Sequence, residues 1–243
     1  MKKILLGIAL SAVILQACNN DDDNNEDAVI LTIEEQNSYD DAAAIDFMNK
    51  NYLNSKGVIT EFDDTVTTDD NEIKLIDYDY VKLPSGVIYL LRPGAQPEPG
   101  KEIGSTDVIH LMIVAKSYIS TKVDDKIVYS NESTFSNSLA SGNVVKDPAY
   151  YYVKSSVLKN YNDTYHTTYG RNFYEIEGLQ EGLKFFKSFD LEDSADYNMQ
   201  GVIIVPSRAA FARDSNIYAY TDRSIVFNFQ VYKTRARDMA TED

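Results

Sequence analysis

The side chains best suited to catalysis are few and scattered along the chain. The 243 residues include two histidines, His110 and His166, and one cysteine. Neither histidine belongs to an HExxH motif, and no GxSxG motif is present. The sequence therefore has no signature of a zinc hydrolase or of a serine hydrolase.

Acidic residues near position 190 are the other candidates for chemistry. Asp190, Glu192, Asp193 and Asp196 provide the oxygen ligands that calcium prefers. The glycine and the terminal glutamate of an EF-hand loop are missing from this segment. We therefore expect a solvated acidic loop here, and we expect no metal ion or other cofactor.

The single cysteine points to covalent attachment of a lipid. Two lysines and an apolar run precede it, as in a secretory signal peptide, which we place at residues 1–17. The segment Leu15-Gln16-Ala17-Cys18 resembles the bacterial lipobox, which implies cleavage before Cys18 and diacylation of its sulfur. Since no other cysteine exists, an internal disulfide and a cysteine-based metal site are excluded. The predicted anchor is a lipid on Cys18 that holds the chain to a membrane.

The segment after Cys18 has the composition of a tether. Asn19–Asp27 contains five acids and no base, so residues 18–37 are predicted to be a solvated linker. The segment also resembles the acidic stretches that follow the lipidated cysteine in Bacteroidetes lipoproteins, some of which signal export to the cell surface. A plain spacer is the alternative. With a formal net charge of −15, the whole chain is predicted not to bind nucleic acid or anionic lipid headgroups.

The elements that follow predict an α+β fold. Residues 38–82 form an N-terminal extension with one helix at Ser38–Leu53, capped by Asp40 or Asp41. Four strands are predicted from alternating or continuous apolar runs, and the last has one covered and one polar face. A second helix follows Gly178, because its apolar positions recur at i, i+4 and i+7. The strands are residues 86–92, 107–118, 200–205 and 224–234, and the second helix is 178–189 with Leu179, Leu183 and Phe186 on the sheet.

The order of these segments resembles the FKBP-type prolyl isomerases from about residue 83 to residue 237. The resemblance implies an antiparallel sheet wrapped over one short helix, with Gly178 and Gly182 allowing the helix and strand backbones to approach closely. The matched segments are Leu83-Pro84-Ser85-Gly86 with Val87-Ile88-Tyr89, Arg92-Pro93-Gly94 with Pro97 and Pro99, Asp107 to Ala115, Thr134-Phe135-Ser136, Ile176 to Gly182, Val205-Pro206-Ser207 to Ala212, and Val226 to Phe229.

The resemblance also implies an apolar pocket for a prolyl side chain. Rotation about an X–Pro amide faces a barrier of about 20 kcal/mol, and an apolar cavity favours the less charge-separated, twisted amide. No acid, base or metal is required. By resemblance, the pocket consists of Phe135, Ile176, Leu179, Phe211 and Phe227, and Leu111, Ser136 and Tyr218 contact the substrate.

Four of these positions depart from the family pattern. Leu179 replaces the tryptophan of the pocket floor, Leu111 replaces a tyrosine, and Ser136 replaces an acid. Phe211 replaces the tyrosine that donates a hydrogen bond to the ligand. The predicted pocket is apolar without its hydroxyl and carboxylate, so weak isomerase activity is expected.

An insertion at residues 139–172 separates the segments that carry Phe135 and Ile176. Tyrosine combines a large contact area with a polar tip, so a tyrosine-rich insertion is typical of a recognition surface. A small subdomain with its own core is the alternative. The tyrosines of the insertion are Tyr150, Tyr151, Tyr152, Tyr161, Tyr165 and Tyr169.

These features predict an outer-membrane lipoprotein with an FKBP-like domain, on the periplasmic side or at the cell surface. The expected activity is that of a prolyl isomerase or chaperone acting on proline-containing segments of exported proteins. The alternative is a non-catalytic binding module of a secretion or gliding complex, because lipoproteins of this type in Bacteroidetes are associated with such machinery.

Overall fold

The computed structural model describes residues 30–243. The predicted signal peptide, the lipidation at Cys18 and the acidic run to Asp27 lie outside the described residues. Within them, Leu31–Asp243 forms one compact unit. The predicted domain boundaries at residues 38 and 83 are not tested by this division and stay predictions.

The first helix begins five residues before the predicted start at Ser38. Helix α1 spans Ile33–Lys50, and Thr32 is its N-cap. The Thr32 hydroxyl accepts a hydrogen bond from the Glu35 amide, and the Glu35 carboxylate accepts one from the Thr32 amide. This reciprocal capping box satisfies two amides of the first turn. The predicted cap at Asp40 or Asp41 was therefore wrong, because a complete Thr-x-x-Glu signal lies more than two helical turns upstream.

A seven-stranded antiparallel sheet forms the centre of the molecule. Its strand order is β3-β4-β10-β11-β6-β7, and β8 pairs with β6 at one end. Two two-stranded sheets, β1-β2 and β5-β9, lie outside it. The strands are β1 Asn51–Leu53, β2 Ile59–Glu61, β3 Tyr80–Lys82, β4 Ile88–Leu91, β5 Lys101–Glu102, β6 Val108–Val123, β7 Lys126–Asn137, β8 Val145–Lys146, β9 Lys187–Ser188, β10 Gly201–Val205 and β11 Arg223–Arg235.

Two further helices lie between β7 and β10. Helix α2 spans Ser155–Tyr165 within the insertion, and α3 spans Glu177–Leu183. Helix α3 is shorter than predicted, although Leu179, Leu183 and Phe186 are all buried, each 1% exposed. Three short 3-10 turns complete the fold at Leu75–Asp77, Arg171–Phe173 and Ser207–Ala209. The predicted α+β architecture, an antiparallel sheet over one short helix with an N-terminal helix and an insertion, is confirmed.

The sheet has two buried faces, which we call the α3 face and the α1 face. Successive side chains of a strand point to opposite faces. On β10, Ile203 and Val205 pack in the cluster that contains Leu179 and Leu183 of α3. Val202 and Ile204 pack in a second cluster, with α1 residues such as Met48.

The prediction that β11 has one solvated face was wrong. Asn228 and Gln230 are only 1% and 3% exposed, because backbone from outside the sheet covers them. The Asn228 side chain donates to the Gly57 carbonyl at 3.0 Å and accepts from the Ile59 amide at 3.1 Å. Gln230 accepts from the Asn198 amide at 2.8 Å. Buried polar side chains that are hydrogen-bonded in this way fit a covered sheet face.

Candidate functional site

The two glycines of α3 lie where the helix touches the sheet. A Cβ atom on Gly178 would lie 2.5 Å from Val205 Cγ1 and 2.9 Å from the Ala209 carbonyl oxygen. A Cβ atom on Gly182 would lie 2.9 Å from two side-chain carbons of Ile203. These distances are shorter than van der Waals contact, so a larger residue would push the helix away from the strand. The prediction that the glycines permit a close approach is confirmed.

The residues predicted to form an apolar pocket come together at the N-terminal end of α3. Ile176 is the N-cap of the helix, Leu179 follows in its first turn, and Leu111 and Phe227 reach the same cluster from β6 and β11. These four side chains are 0–1% exposed, and Phe211 is 5% exposed. The predicted residues are therefore assembled, but other protein atoms cover them.

Tyr150 of the insertion packs against Phe135 and Phe227, two of the predicted pocket residues. Its ring centroid lies 5.2 Å from that of Phe135, in an edge-to-face arrangement, and 6.4 Å from that of Phe227. The side chain is 8% exposed, and its hydroxyl has no hydrogen-bond partner among residues 30–243. Burial raises the pKa of Tyr150, against an opposite effect of the Ser136 side chain. Tyr150 thus lies beside three of the residues predicted to contact a ligand.

A set of half-buried aromatic rings borders this covered cluster. Tyr218 lies 5.0 Å from Phe135 and 5.4 Å from Phe211, measured between ring centroids. Tyr220 lies 5.9 Å from Phe135 and 6.2 Å from Tyr218. Burial raises the pKa of Tyr218, so its hydroxyl is protonated at neutral pH. We call Phe135, Tyr218 and Tyr220 the aromatic rim.

Asn216 holds the loop that carries two rings of the aromatic rim. Its side-chain oxygen accepts hydrogen bonds from the amides of Tyr218 and Tyr220, at 3.1 and 3.0 Å. Its side-chain nitrogen donates to the Tyr220 carbonyl at 2.6 Å. Tyr220 is not among the predicted site residues, and Tyr150 was predicted as part of a recognition surface and not as a neighbour of the pocket residues. The sequence did contain an indication for Tyr220. Asn216 precedes Tyr218 by two residues and Tyr220 by four, and asparagine side chains commonly form hydrogen bonds with the backbone of their own turn.

A buried carboxylate on α1 fixes the loop that leads to Phe211. Asp40 is fully buried and accepts hydrogen bonds from the Ser207 amide at 2.8 Å and the Ser207 hydroxyl at 2.6 Å. It also accepts from Ser120 of β6 at 2.7 Å and from Gln36 at 2.9 Å. Four donors compensate the loss of hydration of this carboxylate. The N-terminal helix therefore positions a loop of the opposite sheet face.

Asp41 adds an ion pair to the same junction. Its carboxylate lies 2.6 Å from Arg208 Nη2 and 2.7 Å from Lys82 Nζ. Partial burial acts to raise the pKa of Asp41, but the hydrogen bonds and charges of Lys82 and Arg208 outweigh it and hold that pKa below its usual range. The carboxylate is therefore ionised at neutral pH.

The tyrosines of the insertion divide into two groups. Tyr151 and Tyr152 are 2% and 5% exposed and belong with Tyr150 to the main core. The Tyr151 hydroxyl donates to the Gly104 carbonyl at 2.6 Å, and the Tyr152 ring lies 4.4 Å from both the Arg171 and Arg237 guanidinium carbons. The remaining tyrosines pack on α2 in a separate cluster. Its members are Tyr161, Tyr165, Tyr169, Phe173 and Tyr174.

Several of the polar candidates of the sequence take part in ion pairs. His110 Nδ1 lies 2.8 Å from Asp193 Oδ1, and Lys146 Nζ lies 2.6 Å from Asp193 Oδ2. The hydrogen bonds from Lys146 and His110 lower the pKa of Asp193 to about 2. His166 ends α2 in the left-handed conformation, with φ of 53°. Within residues 30–243, no three potential metal ligands lie close enough together to hold an ion.

None of the helices between residues 30 and 243 has both the length and the apolar composition needed to cross a bilayer.

Comparison with known proteins finds likeness at the level of structure only. No protein-family model and no curated protein sequence matches the chain. FkpA from Escherichia coli is similar with 16% sequence identity and a TM-score of 0.36, over 64% of this chain and 51% of FkpA. A peptidyl-prolyl cis-trans isomerase from Pseudomonas syringae pv. tomato is similar with 12% identity and a TM-score of 0.32, over 65% of this chain and 81% of that protein. The chain thus spans about half the length of FkpA.

Proposed function

We propose that this chain is a lipid-anchored, FKBP-like domain that binds proline-containing segments of exported proteins and isomerises them weakly. The observation that carries the proposal is the convergence of Phe135, Ile176, Leu179, Phe211 and Phe227 into one apolar cluster at the N-terminal end of α3.

The composition of the cluster fits the chemistry of prolyl isomerisation. An apolar surrounding favours the twisted amide over the charge-separated planar amide, and no general acid or base is needed. The aromatic rim offers ring faces and edges against which a pyrrolidine ring packs. Phe211, which has no hydroxyl, donates no hydrogen bond to the substrate carbonyl, and that loss lowers the expected rate.

The position of Tyr150 is a second reason for expecting weak activity. Its ring packs against those of Phe135 and Phe227, beside Ser136, in the region that a prolyl ring is proposed to occupy. Substrate binding in this region requires displacement of the Tyr150 ring. The unpaired Tyr150 hydroxyl lowers the cost of that displacement, because water satisfies the hydroxyl once it leaves the core.

A non-catalytic binding module is the second candidate. It is favoured by the same cover over the cluster, which leaves the half-buried aromatic rim as the part of this region that a partner contacts. In this case the domain serves a secretion or gliding complex and holds a partner without turnover. The two candidates differ in whether the chain accelerates exchange about an X–Pro bond.

The decisive experiment compares wild type with Tyr150→Ala and Tyr150→Phe. We measure cis–trans exchange of a blocked Ala-Leu-Pro-Phe peptide by NMR, with catalytic amounts of each protein. Tyr150→Ala removes the covering ring and is expected to raise the exchange rate over wild type by about tenfold, which corresponds to about 1.4 kcal/mol of barrier. Tyr150→Phe keeps the covering ring and loses the hydroxyl that water would satisfy after displacement, so it is expected to be no more active than wild type.

The lower stability expected for Tyr150→Ala decides the temperature at which its activity is measured. Tyr150→Ala is expected to cost about 3 kcal/mol of unfolding free energy, as for other large aromatic truncations in a core. Activity is therefore measured well below the melting temperature of the variant, with circular dichroism as the check. If the folded Tyr150→Ala protein binds the peptide without accelerating exchange, the chain is a binding module. If it does not bind the peptide, the proposed site is wrong.

The lipid anchor is tested separately. Cys18→Ala removes the proposed acylation site and is expected to release the chain from the membrane fraction, because a lipid is the proposed attachment. Cell fractionation followed by mass spectrometry of the mature N-terminus provides the readout. Retention of a cleaved, unacylated chain in the membrane fraction would contradict the proposal.

A further inference from the structure

The α1 face of the sheet carries a groove that has no part in the proposed prolyl site. The groove encloses a cavity of about 340 Å³. Asp46 and Lys50 of α1 border one side, Ile59 and Glu61 of β2 border another, and β6, β7 and β11 form the floor. Cavities of about 300 Å³ or more are typical of sites for small ligands or single side chains.

The floor of this groove is aromatic. The rings of Tyr118 and Tyr129 stack with centroids 5.0 Å apart and an interplanar angle of 16°. Phe47 lies 5.8 Å from both of them. Val114 and Val226 complete the apolar part of the lining. Such a floor accommodates an aliphatic chain, and a cation above the rings is attracted by their π-electrons.

The groove is lined by more carboxylates than lysines. Lys50 Nζ lies 2.7 Å from Asp46 Oδ2, and Lys116 Nζ lies 2.8 Å from Glu132 Oε1. The Tyr118 hydroxyl donates to the other oxygen of Glu132 at 3.1 Å. Each lysine is therefore paired with an acid of the same groove. Glu61, by contrast, has no ion-pair partner within residues 30–243.

We propose that this groove binds an arginine side chain of a polypeptide partner. The aliphatic part of the side chain packs on Phe47 and Val114, and the planar guanidinium stacks over the tyrosines. Its N–H groups pair with the carboxylate of Glu61, and Glu132 lies on the same rim. An anionic ligand is disfavoured, because both lysines are neutralised and the whole chain has a net charge of −15.

The groove is independent of the prolyl cluster because the two lie on opposite faces of the sheet. Val114 and Tyr118 of β6 line the groove, whereas Leu111 and Ala115 of the same strand pack against the α3 cluster. Side chains an odd number of positions apart on a strand point in opposite directions. A partner is thus able to occupy the groove whether or not the α3 face binds proline.

The experiment compares two peptides that differ only in charge. The full chain is titrated with acetyl-Leu-Arg-Leu-amide and with the same peptide containing citrulline, which keeps the shape of arginine but is neutral. Amide chemical shifts in NMR spectra locate the contact and give the dissociation constants. We expect the arginine peptide to shift amides of α1, β2 and β7, and to bind about fivefold more tightly than the citrulline peptide.

Two glutamates provide the matched variants. Glu61→Gln removes the unpaired charge of the groove and is expected to weaken binding of the arginine peptide by about threefold to tenfold. Glu72→Gln makes the same change at an exposed acid outside the groove and is expected to leave the affinity unchanged. Equal binding of both peptides, equal effects of both substitutions, shifts confined to another surface, or no binding of the arginine peptide would each overturn the proposal.

Discussion

The two faces of the central sheet are covered in different ways. On the α3 face, the insertion places Tyr150 against Phe135 and Phe227, and the apolar cluster is filled. On the α1 face, the helix and the β1–β2 hairpin border a groove of about 340 Å³ with a charged rim. One face therefore presents a covered apolar cluster, and the other presents an open groove with an aromatic floor and a charged rim.

This difference shows that the insertion and the N-terminal extension change the sheet's two faces in different ways. The insertion contributes a large side chain directly to the core, so its effect is to occupy space. The extension contributes a helix whose buried apolar residues are Ala43, Ala44 and Met48. This helix forms one side of the groove on the α1 face. The same sheet therefore serves as the floor of the two proposed sites, which differ in their chemistry.

Asp40 of α1 is hydrogen-bonded to the loop that leads to Phe211 on the α3 face. Substitution of Asp40 is expected to have the largest effect on stability and tests this connection between the two faces. Asp40→Ala leaves the Ser207 amide and the Ser120 hydroxyl buried without their acceptor. We expect a loss of about 3 kcal/mol or more in unfolding free energy, because removal of one partner from a buried, charged network is costly. Urea unfolding followed by circular dichroism measures it.

Asp79→Ala is the control for this substitution. Asp79 is exposed, and the change is expected to alter stability by less than about 0.5 kcal/mol. In addition, Asp40→Ala should shift NMR signals of residues 207–211 on the α3 face. A stability loss similar to that of the control would show that α1 is not coupled to the loop that leads to Phe211.

The second prediction concerns Gly178, where α3 lies closest to the sheet. Gly178→Ala places a methyl group 2.5 Å from Val205 Cγ1 and is expected to destabilise the chain by about 2 kcal/mol through overpacking. The gain in helix propensity, about 1 kcal/mol, offsets part of this cost in the measured value. Thermal unfolding provides the comparison. Unchanged or higher stability would mean that the helix moves freely on the sheet.

Much of the α3 face was predictable from local pattern. Leu179, Leu183 and Phe186 recur at helical spacing and are all buried, and the alternation on β11 identified Phe227 and Phe229 as core residues. The paired glycines signalled a close approach. These features follow from periodicity along a single element, which the sequence displays directly.

The parts that escaped prediction depend on partners far away in the chain. Asn228 has the residue type of a solvated position, yet it is buried because the backbone of Gly57 and Ile59 satisfies its side chain. Tyr150 has a residue type that suits a surface or a core equally well. Its location depends on contact with Phe135 and Phe227, and no local pattern records that contact.

A smaller effect is expected from the ion pair at the junction of the faces. The folded-state pKa of Asp41 is lowered by Lys82 and Arg208, so the pair stabilises the folded chain above the unfolded pKa of about 3.9. That contribution is lost as the pH falls through the folded-state pKa. Asp41→Asn is expected to cost about 0.5 kcal/mol at pH 7, since the site is partly solvated.

The pH dependence distinguishes this contribution from a packing effect. The stability difference between wild type and Asp41→Asn should shrink as the pH is lowered from about 5 towards 2. Urea titrations at several pH values measure the difference. A constant difference over this range would show that the ion pair is not its origin.

The contrast between the two faces is tested most directly by one NMR titration of the full chain with two peptides. We predict that the arginine peptide shifts amides of α1, β2 and β7, on the α1 face, in both wild type and Tyr150→Ala. We predict that the prolyl peptide shifts amides near α3 and the aromatic rim strongly in Tyr150→Ala and only weakly in wild type. A prolyl peptide that binds both proteins equally, or an arginine peptide that shifts the α3 face, would contradict the assignment of a closed site to one face and an open site to the other.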